Sequence, residues 1–131
     1  MKNRLIIIAH LLFLCVGLWS FNLYSDKQVL GSWKHYDVVN RLGAHATIEI
    51  DPFDLILSKD HHLEMTGGGM KSTGTWSLKN DVLQMNIAAT GDRAARIQKL
   101  YVSNVTKEIL TLEVKDFEVP GGLLIVMHRM K

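Results

Sequence analysis

Six histidines are the side chains of this sequence best suited to hold a metal or carry a proton near neutral pH. Their positions argue against a shared site. His10 lies in an apolar run near the start. His61 and His62 are adjacent at an expected tight turn between strands, where neighbouring side chains point to opposite faces and do not readily share one ion. His35, His45 and His128 show no ligand spacing, although His35 and His128 could meet across the first and last strands. The simpler reading is solvent-facing or hydrogen-bonded imidazoles, so no metal and no haem are expected.

Catalytic motifs are equally scarce. Neither G-x-S-x-G nor H-E-x-x-H occurs. The pair of carboxylates in Asp51-Pro52-Phe53-Asp54 could begin a catalytic or calcium site, but such a cluster more often marks a turn that begins a strand. Gly67-Gly68-Gly69 lacks the following helix that would make it a phosphate cradle and reads as a flexible loop. Asn104-Val105-Thr106 fits a glycosylation sequon and reads here as an ordinary hairpin turn. The sequence therefore points away from an enzyme and implies no cofactor.

The start of the chain reads as an address. Lys2 and Arg4 precede an apolar run over residues 5–19, and small and polar residues then lead to Asp26, the first carboxylate. A basic start, an apolar run and small residues make a secretory signal. Cleavage could fall after Gly17, Ser20 or Ser25. Residues 5–24 are also just long enough to span a bilayer uncleaved, with the basic start kept inside. Either way residues 26–131 are expected as one domain outside the cytoplasm, periplasmic or secreted, touching the membrane only through an uncleaved anchor. Cys15, the single cysteine, lies inside the apolar run behind Leu14, which does not fit a lipid-attachment site. The domain then has no disulfide and no thiolate chemistry.

The 131 residues are 47% apolar and 21% charged, enough for one folded core. Lys2 and Arg4 account for the whole surplus of +2, so the body is neutral. Without a basic stripe, nucleic acid is not an expected partner.

Beyond Val29 the pattern has period two rather than 3.6. Strands are expected over residues 33–39, 53–58, 62–66, 73–78, 82–87, 96–103, 109–115 and 123–130, with a ninth over 47–50 if that run is separate. Tight connections over 59–61, 79–81 and 104–108 alternate with longer or glycine-rich ones over 40–51, 67–72, 89–95 and 116–122. In an up-and-down barrel, odd and even connections lie at opposite ends. The expected fold is all-β: an antiparallel barrel of about eight strands, closed at one end and fringed by loops at the other.

Gly31-Ser32-Trp33 opens the first strand and Arg129 lies near the end of the last. This resembles the lipocalin pattern, in which a G-x-W on the first strand is covered by an Arg from near the C-terminus. Residues 74–83, GTWSLKNDVL, are similar to the central hairpin of short, secreted lipocalin-like domains of Bacteroidota-type bacteria. The resemblance spans roughly residues 29–131 and implies a calycin-type barrel with Gly31, Trp33 and Arg129 as its structural motif. With an even strand number the end of the last strand lies beside the beginning of the first, so Arg129 can reach the face of Trp33.

Period two turns Trp76, Leu78, Leu83, Met85, Ile87, Leu110, Leu112 and Val114 inward. Met65, Tyr101 and Phe117 are plausible additions nearer the mouth, and Arg41, Arg93 and Arg96 would rim it. Two functions stay open. One is a non-enzymatic binding module for a small hydrophobic or amphipathic ligand of the lipid or fatty-acid class, lined by these residues, with guanidinium groups facing an acidic head. The other is a filled barrel that acts as an accessory or inhibitor by contacting another protein. Leu124 and Val126, apolar on the outward face of the last strand, speak for the second.

Overall fold

The structure, a computed structural model, describes residues 23–46, 50–115 and 122–131. A one-turn helix, α1 (Asp26–Val29), leads into eight strands: β1 (Gly31–Val39), β2 (Phe53–Leu57), β3 (His62–Gly67), β4 (Met70–Lys79), β5 (Val82–Ile87), β6 (Arg96–Val105), β7 (Ile109–Val114) and β8 (Leu123–Arg129). Each strand pairs antiparallel with the next, and β8 pairs with β1, so the sheet closes into a barrel without free edges.

Turn chemistry sets the register. Asn80 and Asp81 both take positive φ, 52° and 59°, which gives the two-residue hairpin whose twist matches its strands. His61, at φ 62°, closes the β2–β3 turn. Thr106 Oγ1 accepts the amides of Glu108 and Ile109 at 3.2 and 3.0 Å and closes the third turn, with Asn104 and Val105 ending β6 ahead of it. At Gly74 a Cβ would collide with the Asn86 carbonyl, so glycine lets β4 and β5 approach closely.

The inward residues fill the barrel from the tight-turn end upward. Trp33, Leu55, Leu63, Leu83, Met85, Leu110, Leu112 and Met127 are fully buried. At about 1.5–3 kcal/mol for each fully buried side chain, this packed set is the main source of stability.

One expectation needs adjusting, one element was not foreseen, and two expectations fall largely outside the described residues. The triglycine stretch is no flexible loop. Gly68 and Gly69 take positive φ, 59° and 75°, and join β3 to β4 as tightly as the turns at the other end. Two successive residues without a Cβ make that turn cheap. The helix α1 carries no periodic signal because it is one turn long, yet it delivers Val29 as a fully buried plug. The possible strand over 47–50 falls largely on residues 47–49, outside the described residues, and Ile50 is in no strand. Residues 1–22 of the expected leader, residues 1–25, also lie outside them.

Candidate functional site

The two ends of the barrel differ in chemistry. At the tight-turn end, Arg129 Nη1 donates to Leu30 O at 2.6 Å, Nε to Lys107 O at 2.5 Å and Nη2 to Gln28 O at 3.3 Å. The same guanidinium lies 4.1 Å from the centroid of the Trp33 ring, a cation–π contact. Trp33 Nε1 donates to Val29 O at 2.8 Å. Gly31 must be glycine twice over: its φ is 130°, and a Cβ there would collide with the Arg129 guanidinium. Gly31, Trp33 and Arg129 thus form one closure. Its groups are committed to structure, not to a ligand.

The other end keeps open space. A pocket of about 190 Å³ lies between β3, β4, β6 and the segment leading into β2. Its apolar wall is Ile50, Pro52, Phe53, Met65 and Met70. Its polar lining is Asp51, Ser72, Arg93, Arg96 and Gln98. Arg96 and Gln98 take the inward positions of β6 that continue the Leu100 and Val102 face, while Arg93 projects from the turn whose ends, Thr90 and Arg93, exchange backbone hydrogen bonds. Among the described residues neither arginine forms an ion pair. Two cations against one carboxylate in its lining give the pocket a net positive charge.

A second cleft, of about 370 Å³, lies across residues 50–52, against His35, Tyr36, Val38 and His45. It exists because β1 and β2 separate beyond the Trp33–Leu55 pair, where β1 bulges between His35 and Asp37 on the β8 side. Asp54 takes up one amide orphaned by that separation, accepting from His35 N at 3.2 Å. His35 Nδ1 is buried and without a partner, the one such side-chain atom among the described residues. Asp37 accepts from Val38 N at 2.8 Å and lies 2.9 Å from His45 Nδ1. His128 stacks on Tyr36 on the outer face, with ring centroids 4.0 Å apart, so it does not meet His35 inside. Among the described residues no three of His, Cys, Asp and Glu cluster as metal ligands.

The residues expected to line a ligand separate into four groups. Met65, Arg93 and Arg96 border the mouth pocket. Trp76 and Met85 face inward but lie deeper, paired across β4 and β5 in the packed core, with Trp76 Nε1 bound to Ser58 O at 3.1 Å near the floor. Period two fixes the face of a residue, not its depth in the barrel. Tyr101 and Arg41 are corrections. Tyr101 stands between the inward Leu100 and Val102, so it faces out, with Lys115 Nζ 4.0 Å over its ring. Arg41 reaches along the outer wall to pair with Glu113, beside Gly122. Phe117 lies outside the described residues.

Met70, Ser72 and Gln98 were missed as pocket residues. The signal was available: the alternation that turns Trp76 inward extends to Ser72 and Met70, and that of Leu100 extends to Gln98 and Arg96.

No protein-family model and no curated protein sequence matches the chain. Solved structures similar to it include an uncharacterized protein from Bacteroides eggerthii DSM 20697, with a TM-score of 0.54 at 13% identity over 77% of this chain and 98% of that one. A lipocalin-like protein from Bacteroides uniformis ATCC 8492 is also similar, with a TM-score of 0.47 at 13% identity over 81% of this chain and 100% of that one. Identity this low speaks to fold alone. The closed eight-stranded antiparallel meander, with Trp33 beneath Arg129, has the barrel architecture that the sequence resemblance implied.

Proposed function

We propose that the protein is a non-enzymatic binding module, working outside the cytoplasm, that takes a small amphipathic anion in the mouth pocket. The observation that carries this reading is the pairing of Arg93, Arg96 and Gln98 with Met65, Met70 and Phe53 around one open space. Guanidinium groups bind carboxylates by charge-assisted, bidentate hydrogen bonds, and thioether and aromatic walls accept irregular apolar bodies. Size narrows the class. About 190 Å³ falls below the ~300–1,000 Å³ of drug-sized sites. A long acyl chain would have to leave the pocket, because the barrel beneath is filled by Trp76, Met85 and their neighbours. The favoured ligand is therefore a short acid, not a long-chain lipid.

Calorimetric titration with octanoate, octanol and hexadecanoate tests this. Octanoate should bind, octanol should bind at least tenfold more weakly, and hexadecanoate should gain little from its longer chain. Equal binding of acid and alcohol, or no binding of either, defeats the proposal.

The alternative, contact with a protein partner, draws on a different surface. Tyr36 is 66% exposed and stacks on His128 beside the half-buried, outward Val126. Under that reading octanoate leaves the protein unaffected, and Tyr36→Ser abolishes capture of the partner without altering the fold.

A further inference from the structure

We infer that the mature domain begins upstream of Leu23, so that the leader is cut after Gly17 or Ser20 and residues 23–25 stay behind as a strap across the barrel floor. This rests on the export reading proposed above and adds to it the position of the cut.

The strap is built into the fold by contacts that a cut after Ser25 would remove. Both oxygens of Asp81 accept successive backbone amides, Leu23 N at 3.2 Å and Tyr24 N at 3.1 Å. Tyr24 donates its hydroxyl to Ser103 O at 3.1 Å, and its ring packs against the buried cluster. Ser25 N donates to Gln28 Oε1 at 2.8 Å, and Ser25 O accepts from Gln28 N at 3.1 Å, so Ser25 is the residue that starts α1. Beyond it, Asp26 lies 3.0 Å from His61 Nε2.

These contacts reach different hairpins. Asp26 holds the β2–β3 turn, the amides of residues 23 and 24 hold the β4–β5 turn, and Tyr24 holds the end of β6. A chain beginning at Asp26 would keep only the first. It would also leave the Asp81 carboxylate, fixed in a left-handed turn, without the amides it now binds. The bond after Ser25 therefore lies inside the domain, although the small residue there makes it acceptable to a signal peptidase by composition.

The test is the N-terminus of the protein exported from a bacterial host carrying the full chain, read by N-terminal sequencing and intact mass. A start at Leu18 or Phe21 is expected. A start at Asp26 overturns the strap while leaving export intact, whereas retention of Met1 overturns the cut and the cleaved-export reading together. On the exported protein, amide exchange followed by NMR gives a second measurement. The Tyr24 amide should exchange at least tenfold more slowly than in an Asp81→Gly variant, in which glycine keeps the left-handed turn and only the carboxylate is lost. Equal exchange in the two proteins would show that residues 23–25 are not held, and would overturn the inference.

Discussion

The floor and the mouth of this barrel solve opposite problems. At the floor, a charged side chain, an indole N–H and several helix and turn carbonyls come together, and Arg129 and Trp33 find partners for all the donors named above. At the mouth, Arg93 and Arg96 have no ion-pair partner among the described residues, beside space that the protein leaves unfilled. A domain this small has little stability to spare. Concentrating closure at one end lets the other keep groups that are better matched to a ligand than to the fold.

The sharpest way to break that contrast is at the floor. Trp33 is fully buried, and Trp33→Ala should cost about 3–5 kcal/mol in urea denaturation. Arg129→Ala should cost less, because the guanidinium is partly solvated. The double mutant should lose measurably less than the two single losses combined, since the groups are in contact. Strict additivity would mean that the ring and the guanidinium do not act as one closure.

Midway up the barrel the contrast can be located. Met85 is fully buried, flanked by Trp76 on β4 and Gln98 on β6. Met85→Trp should destabilise by about 1–3 kcal/mol through overpacking, because the space below the pocket is filled. A neutral result would put the floor of the cavity below Met85 and would reopen the barrel to longer ligands.

The floor was legible in the sequence and the mouth only in part, for a physical reason. Gly31, Trp33, the Asn80-Asp81 turn and Arg129 are fixed by short-range rules: positive φ, a two-residue hairpin, and the strand parity that brings the chain's end to its beginning. Even there α1 escaped, since one turn of helix has no period to detect. At the mouth, the outcome depends on where strands diverge and bulge. The separation of β1 from β2 opened the second cleft, and no pattern of alternation contains that divergence. Tyr101 faces outward because it alternates with the inward Leu100 and Val102.

On the outer wall the effects should be small. Arg41 and Glu113 pair across the surface near the mouth, with Arg41 largely exposed. Glu113→Gln should cost between about 0 and 1 kcal/mol, and less at high salt, as exposed pairs do. A larger loss would mean that Arg41 anchors the loop over β8, making this part of the mouth structural in the manner of the floor.

The smallest effect on stability is expected where the largest effect on binding is. Arg96 lies half-buried at the first inward position of β6, with no carboxylate partner among the described residues. Arg96→Gln removes a charge that the fold does not use, so the free energy of unfolding should change by less than about 0.5 kcal/mol. If the mouth is built for an anion, the same change should weaken octanoate by tenfold or more, because the bidentate ion pair to its carboxylate is reduced to a hydrogen bond from an uncharged amide. Arg93→Gln should have a lesser effect, since Arg93 is the more exposed of the two. The titration and the melt belong on the same preparation. Loss of stability with unchanged binding would reverse the assignment, making Arg96 a structural group and removing the division of labour between the two ends.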